Sequence, residues 1–314
     1  VAKIRPFIEG KDEAIYVNIL NRTMIDYSDF TPITITDALM EEQIASYDSE
    51  GRFIAEWDNE PAGYVFAYFN PKRRDHCGYM EGPFVVPSFR RKHIGNALVK
   101  TAFENYQKRG INLVEASSRA NDSDAQKFLE SFDFHLHRVF SRMKRSLDNI
   151  PENIGENPAV KIVEGSKRDG DLKIENMILG DALQESYNFR PMTFEEQKYY
   201  IVLYRKLEVA YYTFVAYDAR NPVGIIVTAI DPKEIERYKK HVAWLAILGV
   251  LAEYRRRGIG KALILHAMRF LQKKKVEEAM LGVDDNNVNQ AAKFYKNLGF
   301  EVALKLNRYI KELI

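Results

Sequence analysis

The sequence predicts an α/β protein built as two tandem copies of one unit, each a mixed central sheet flanked by helices. The first observation is internal repetition. Val85-Val86-Pro87-Ser88-Phe89-Arg90-Arg91-Lys92-His93-Ile94-Gly95 overlays Val250-Leu251-Ala252-Glu253-Tyr254-Arg255-Arg256-Arg257-Gly258-Ile259-Gly260 at a shift of 165, sharing the Val, the aromatic, the paired Arg and the Ile-Gly. Ala125–Phe134 overlays Ala291–Phe300 at a shift of 166, and Glu60-Pro61-Ala62-Gly63 matches Asn221-Pro222-Val223-Gly224. Matches in one order at a nearly constant shift mark a duplicated unit. The second observation is that β-rich runs and helical periodicity alternate within each copy. The third is a strand, a basic glycine-bearing loop and a long helix at the centre of each.

Each element has a local reason. An early helical region spans about 11–25 and 172–186. Strands follow at Arg52–Trp57 and Thr213–Tyr217, and then at Gly63–Phe69 and Gly224–Ile230, with Pro61 and Pro222 marking the turns between them. A further strand ends at Val85 or Val250 and enters the basic loop. The helix after it places Ile94, Leu98, Thr101, Ala102 and Tyr106 on one face, and in the second copy Ile259, Ala262, Leu263, Ala267, Phe270 and Leu271. Asn112–Ala116 and Ala279–Val283 read as strands, followed by a short helix closed at Gly299 and a final strand. The polar, Pro-bearing stretch Asp148–Pro158 has no periodicity and reads as a linker, which divides the chain into 1–147, 148–158 and 159–314.

Composition narrows the classes. With 314 residues, 46% hydrophobic and 29% charged, the chain is globular and long enough for two cores. Net charge is +2 from 46 basic and 44 acidic side chains, so no global field argues for nucleic acid or a membrane surface. The clusters Lys72-Arg73-Arg74 and Lys273-Lys274-Lys275 read as solvated faces or helix-end charge. The most apolar stretch, Val242–Leu251, is too short to span a bilayer, and the first residues lack a signal-peptide core, so the expectation is a cytoplasmic protein. Cys77 is the single cysteine, which excludes an internal disulfide, and His76 beside it lacks further partners, so no metal site is assigned.

The central loop carries the chemistry. Arg255, Arg256, Arg257, Gly258, Ile259, Gly260 and Lys261 follow a strand and open a helix. Glycine lets the backbone turn its amides outward, and the helix N-terminus adds partial positive charge, so the segment suits a phosphate or pyrophosphate. The spacing Arg-x-x-Gly-x-Gly is neither a Walker A loop nor the dinucleotide fingerprint. An exposed basic turn is the rival reading of the loop by itself. Downstream stands Asn289-x-x-Ala292-x-x-Tyr295, continuing Lys296-Asn297-Leu298-Gly299-Phe300.

These two motifs, in this order, resemble the GNAT superfamily of acyl-CoA-dependent N-acyltransferases, and the element order of each copy extends the resemblance over essentially the whole chain. The arrangement is similar to other tandem GNAT proteins. The resemblance implies acetyl-CoA or another acyl-CoA as cosubstrate, with the pyrophosphate on amides of Arg256–Lys261. It implies that backbone groups of Leu248 and Val250 pair with the pantetheine arm and that Asn289 contacts the cofactor. It implies further that Tyr295 protonates the departing thiolate, as a phenol of ordinary pKa near 10 can. An amphipathic-helix aromatic is the rival reading of Tyr295, and a helix-capping residue that of Asn289.

The general base is not assigned. Many members of that superfamily carry a Glu on the fourth strand, whereas here it reads Ala243-Trp244-Leu245-Ala246-Ile247-Leu248-Gly249-Val250, without a carboxylate. His241 reads as a surface residue, and Asp284 and Asp285 as turn caps. The first copy departs further from the pattern. His93 replaces Gly258, Ser123, Gln126 and Leu129 replace Asn289, Ala292 and Tyr295, and Asp133 replaces Gly299. A Cβ at position 93 either crowds a cofactor or reshapes the loop. Glu81, on the fourth strand of that copy, reads as a strand-end surface Glu or as a base. His135 and His137 lie on alternating positions of a strand, where a satisfied or exposed histidine is the usual case.

The functional expectation is an N-acetyltransferase acting on a small-molecule or peptide amine, with chemistry in the second copy and a structural or cofactor-holding first copy. The alternative is a non-catalytic acyl-CoA-binding or sensing protein. Two copies in one chain can form internally the pairing that single-copy relatives achieve as dimers, so the expected state is a monomer with an internal pseudo-dimer or a homodimer.

Overall fold

The computed structural model describes residues 2–44, 47–72, 75–150 and 160–313. Most of the linker expected at 148–158, and two residues of the basic cluster at 72–74, lie outside the described residues. The chain forms two compact units, Val1–Val139 with Leu306–Ile314, and Phe140–Lys305.

The first unit holds β1 (Lys3–Pro6), α1 (Glu13–Met24), α2 (Ile35–Glu42), β2 (Arg52–Trp57), β3 (Glu60–Phe69), β4 (Cys77–Val85), α3 (Ile94–Lys108), β5 (Leu113–Arg119) and α4 (Ser123–Glu130). From β1 to β4 each strand pairs antiparallel with the next, and β4 and β5 pair parallel. The chain then runs through β6 (His135–Ser146), which enters the second unit at Phe140. That unit continues with β7 (Lys161–Glu164), α5 (Asp169–Ala182), α6 (Phe194–Lys206), β8 (Ala210–Asp218), β9 (Asn221–Ile230), α7 (Pro232–Tyr238), β10 (Val242–Val250), α8 (Ile259–Lys273), β11 (Glu278–Asp284) and α9 (Ala291–Asn297). Here β7 to β10 pair antiparallel in sequence, and β10 and β11 pair parallel. The last strand is β12 (Glu301–Glu312).

The copies exchange their last strands. Phe140–Ser146 of β6 pair antiparallel with Asp284–Glu278 of β11, inside the second unit. Leu306–Glu312 of β12 pair antiparallel with Arg119–Leu113 of β5, inside the first. The compact units therefore depart from the sequence copies at their ends, because a final strand takes the same sheet position whichever copy supplies it.

Burial follows the pleat. In the second unit Ala243 and Leu245 of β10, Leu281 and Val283 of β11 and Met143 of β6 face α8, whose Leu263, Ala267 and Leu271 are fully buried against them. Ile178 and Ala182 of α5 cover Ile225 and Val227 on the opposite face. Burying each such aliphatic side chain is worth about 1.5–3 kcal/mol, which is what fixes α8 over the sheet. The first unit repeats this, with α3 over Val65, Ala67 and Met80 and α1 over Ile54, Tyr64 and Phe66. Among the described residues no helix is long and apolar enough to cross a membrane, and no group of three His, Cys, Asp or Glu is placed to hold a metal ion.

Candidate active site

The site of the second unit is built by a strand that leaves its neighbour. β10 pairs with β11 only from Val242↔Glu278 to Trp244↔Met280, after which a gap opens between them. On its other edge, β10 stays paired with β9 as far as Val250↔Gly224, but the register shifts between Leu245 and Ile247. The extra residue, Ala246, reverses the alternation. Ile247 thereby packs on the α5 side, and Leu248 and Val250 turn to the α8 side.

After Val250 the chain makes a single 3-10 turn, Ala252–Tyr254, and reaches Gly258 at φ +79, ψ −1 as the residue before α8. Arg256 also has positive φ, +63. Glycine takes this left-handed conformation without the Cβ penalty. Gly258 O accepts from Ala262 N at 3.0 Å, so the amides of Ile259, Gly260 and Lys261 precede the first intrahelical bond. They point out of the helix end beside the gap. A Cβ built on Gly260 would lie 3.7 Å from Leu248 and 3.8 Å from both Phe294 and Val250, so the helix start, the turned strand and α9 border one space.

The arginines divide into two kinds. Arg255 is a brace: Nε donates to Val250 O at 3.1 Å, Nη2 to Ala182 O at 3.2 Å and Nη1 to Glu185 Oε2 at 2.6 Å. The carbonyl of Val250 thus already has a partner. Glu185 is held below the usual carboxylate range by Arg255 first, and Asn289 adds a side-chain hydrogen bond. Arg256 and Arg257 are exposed, with Arg257 5.0 Å over the Tyr254 ring, and Lys261 is half-buried. Ile259 is 3% exposed and anchors the helix in the core. Asn289 is exposed, and its amide donates to Asn287 Oδ1 at 2.8 Å.

Tyr295 on α9 is half-buried, its ring 5.2 Å from Phe294 and 6.0 Å from Phe300. Burial pushes its phenol up to about 12. That is above the ordinary value near 10, so the hydroxyl stays protonated throughout the neutral range. Each unit by which it exceeds the pKa of a receiving thiolate makes full proton transfer about 1.4 kcal/mol more costly. His241 stands at the closed end of β10, its Nδ1 2.9 Å from Lys275 O and its amide donating to Glu277 at 2.9 Å, away from the gap. Asp284 accepts from Asn286 N at 2.9 Å, while Asp285 accepts from Ser141 Oγ at 2.9 Å and pairs with Lys305 at 3.3 Å.

The first unit keeps the same frame. β4 pairs with β5 only from Cys77↔Leu113 to Met80↔Ala116, and its register with β3 shifts between Phe84 and Glu81. His93 occupies the Gly258 position at φ +60, ψ 16, and Arg91 repeats Arg256 at φ +63. The loop therefore keeps its backbone shape with an imidazole added to it. Space is tighter at Gly95, where a Cβ would meet Phe128 at 3.2 Å.

Glu81 lies where Ala246 lies in the second unit, paired with Phe66 on the α1 side of the sheet. Glu81 is solvent-exposed at the open end of β4, yet the protein crowded around it, and then the charge of Glu41, push its carboxyl up to about 7, while Arg52 and Arg308 pull it back; access of water to the side chain tempers that rise. Tyr16 Oη donates to Glu41 Oε2 at 3.4 Å. Arg52, 1% exposed, donates from Nε to Tyr64 Oη at 2.6 Å and from Nη1 to Glu42 at 2.8 Å, under the Phe7 ring at 3.7 Å. Sequence reasoning missed this assembly. Its one legible signal is Glu81 standing over Ala246 in the repeat.

A loop that presents helix-end amides beside a gap between parallel strands forms an anion-binding site at the edge of a cleft in an α/β sheet. The family model described as the acetyltransferase (GNAT) family matches residues 19–134 and 179–300, and the chain belongs to this family of acyltransferases. A probable N-acetyltransferase, san, of Drosophila melanogaster is 32% identical over 126 residues, which are 39% of this chain and 62% of that protein. N-alpha-acetyltransferase 30 of Saccharomyces cerevisiae is 30% identical over 102 residues, 31% of this chain and 56% of that protein. The chain thus spans less than two thirds of these curated relatives. Among solved structures, a tandem GNAT protein from the clavulanic acid biosynthesis pathway superposes with a TM-score of 0.76 at 14% identity, over 99% of this chain and 98% of that one. A GCN5-related N-acetyltransferase from Sphaerobacter thermophilus gives 0.73 at 20% identity, over 99% and 95%. Likeness at these identities establishes the tandem fold.

Proposed function

We propose that the protein transfers an acetyl group from acetyl-CoA to a primary amine, with the chemistry in the second unit. The observation that carries this is the meeting of the Gly258 loop, the turned strand β10 and Phe294 of α9 around Gly260, with Tyr295 the next residue on that helix. The amides of Ile259–Lys261 would hold the pyrophosphate, with Arg256, Arg257 and Lys261 adding charge around it. Leu248 would meet the pantetheine arm along its backbone. Arg255 and Asn289 act through Glu185 to fix the loop against the end of α5.

The acetyl-CoA supplies the thioester. The amine nitrogen attacks the carbonyl carbon, a tetrahedral intermediate forms, and the C–S bond breaks as the N–C bond is retained. Tyr295 Oη would donate its proton to the leaving sulfur, and the proton that the amine nitrogen releases to water restores the phenol. Attack needs the nitrogen lone pair, so the acceptor must arrive as the neutral amine. Tyr295→Phe is expected to lower kcat about 100-fold, with KM for acetyl-CoA changed less than about twofold. Steady-state kinetics over an amine panel tests this. Unchanged kcat overturns the acid role, and tight acetyl-CoA binding without transfer to any amine makes the protein a binder.

A second reading is favoured by Glu81. A carboxyl near 7 on the open part of β4 has the ordinary requirement of a general base at neutral pH, and nothing comparable stands on β10. In this reading the first unit deprotonates an amine. It would do so without a phenol at the departing sulfur, since Leu129 stands in the position of Tyr295.

A further inference from the structure

In the second unit the end of α6 meets the start of β8 around a cavity of about 170 Å³. The helix stops there without spending its side chains. Glu208 takes φ +57, Val209 N donates to Tyr204 O at 2.9 Å and Glu208 N to Arg205 O at 3.2 Å, so the chain's own amides cap these carbonyls. Arg205 is thereby left at the rim of the cavity, exposed, with no hydrogen bond or ion pair for its guanidinium among the described residues. Lys167, at φ +60 in the loop after β7, lines the same cavity with its Nζ 5.8 Å over the Tyr211 ring.

The rings of Tyr204 and Tyr211, 5.6 Å apart and tilted by 32°, form one wall, and Ile201 and Val209 add aliphatic surface; all four are half-buried. Burial first, and then neighbouring charge, holds both phenols above their ordinary range, so each remains a protonated donor at neutral pH. No carboxylate belongs to the lining. Glu175, whose charge acts on Tyr211, is completely buried, and its Oε1 accepts from Thr213 Oγ1 at 2.6 Å.

The fold alone does not require this set. The capping boxes at Thr34 and Thr193 align α2 with α6 at a shift of 159. At that shift Lys167, Ile201, Tyr204 and Arg205 fall on Ile8, Glu42, Ala45 and Ser46, so the first copy has neither the cations nor the phenol and carries an acid instead. The cavity also stands apart from the gap. Tyr211 pairs with Ala229 and Ala229 with Trp244, which puts it two strands from β10, whereas the gap opens between β10 and β11.

Two cations and two phenolic donors around one cavity select an anion. Inorganic phosphate would use the donors but set a strongly hydrated ion against Ile201, Val209 and the ring faces. A carboxylate on an apolar body suits both parts, with its head toward Lys167 and Arg205 and its body along the tyrosine wall. Size agrees, since a cavity of about 150 Å³ accepts a benzene ring. We propose that the junction of α6 and β8 is a binding site for a small organic carboxylate with an apolar body, separate from the cofactor gap and independent of which unit transfers the acyl group.

Benzoate is the probe, titrated calorimetrically into the full-length protein. One saturable site is expected, with benzamide, the same ring without the charge, at least about 10-fold weaker and phosphate unable to compete. Arg205→Gln and Lys167→Gln are each expected to weaken benzoate about 5- to 20-fold, the range of a charge-assisted contact reduced for exposed cations. Both changes are at exposed positions, so an unchanged circular dichroism spectrum is expected alongside. Arg220→Gln, an exposed change in the turn between β8 and β9, should leave the affinity as it was. Gly258→Trp should also leave it, because the pyrophosphate loop is elsewhere. Absence of saturable binding overturns the proposal. So does binding that Gly258→Trp removes and Arg205→Gln spares, which would seat benzoate on the amides before α8. Benzamide binding as tightly as benzoate overturns the role of the cations, and phosphate competing at equal strength overturns the assignment of an apolar body.

Discussion

Gly258 and His93 precede their helices in the same left-handed conformation, at φ +79 and φ +60. A departure in sequence has left the backbone of the loop in place, so what differs between the units is occupancy of the space in front of the amides. One tight acetyl-CoA site per chain is expected by calorimetry. Gly258→Trp should abolish it, and His93→Trp should leave it. His93→Gly, which restores the bare loop, is expected to add a second, weaker site. A stoichiometry still at one would place the obstruction at Phe128, which crowds Gly95.

Glu81 gives a pH signature in both stability and rate. Its folded pKa of about 7 lies above the ordinary Glu value, so the folded protein holds this proton more tightly than the unfolded chain. Below the ordinary value the group is neutral in both states and costs nothing. As pH rises through that value to about 7, stability is progressively lost, and the loss is complete above 7. Glu81→Gln should therefore raise Tm at pH 8 and leave it unchanged at pH 4. If the first unit transfers acetyl groups, its rate should climb through pH 7 and level off, and the same substitution should remove the climb. A Tm gain of equal size at both pH values would show that the carboxyl is not perturbed.

Arg255 grips Glu185 at 2.6 Å, and Asn289 adds its hydrogen bond to the same carboxylate. The depressed pKa of Glu185 means that this contact is fully present above the ordinary Glu value and is lost as pH falls through the folded one. An exposed pair of this kind contributes little to global stability. It should matter to the loop it ties down. Glu185→Gln is expected to weaken acetyl-CoA binding about two- to fivefold at pH 7 while kcat stays within twofold. A fall in kcat at unchanged affinity would instead place Glu185 in the chemistry.

The sequence discloses what local rules control. The αL cap at Gly258, the apolar stripe Ile259, Leu263, Ala267 and Leu271, and the second αL stop at Gly299 are all set within a few residues, and each falls where periodicity and glycine put it. Asp133 takes the Gly299 conformation at φ +59, so even the diverged copy keeps its frame. The strand exchange was not legible, because β6 and β12 have the same local pattern whichever sheet receives them. Arg52 was missed for a related reason. A buried arginine is explained by Tyr16, Tyr64 and Glu42, which arrive from three other elements, together with Tyr47 and Phe7. The phenol of Tyr295 was placed near its ordinary pKa by residue type, and its rise to about 12 comes from packing that no motif records.

The exchange makes the first unit depend on the last residues of the chain. Tyr309 and Leu313 of the C-terminal segment are 2% and 7% exposed in the core that also holds α3, and Leu313 N donates to Asn112 O at 2.7 Å. Arg308 lies 3.5 Å from Glu115, whose side chain is completely buried. Removing residues 306–314 would strip β5 of its antiparallel partner, take away two buried side chains worth about 1.5–3 kcal/mol each, and remove Arg308 from beside the buried Glu115 carboxylate. Together these approach the roughly 5–15 kcal/mol that keeps a domain folded. The deletion is therefore expected to unfold the first unit and leave the second folded, since its own sheet is closed by β6. Cys77 is the probe: it is the single thiol of the chain, 1% exposed, and sits on β4 of the first unit. In the intact protein it should react slowly with a thiol reagent, and after the deletion as fast as in denaturant. The Trp244 fluorescence of a Trp57→Phe background should meanwhile keep its folded emission. A protected Cys77 after deletion would show that the first unit stands without the exchanged strand.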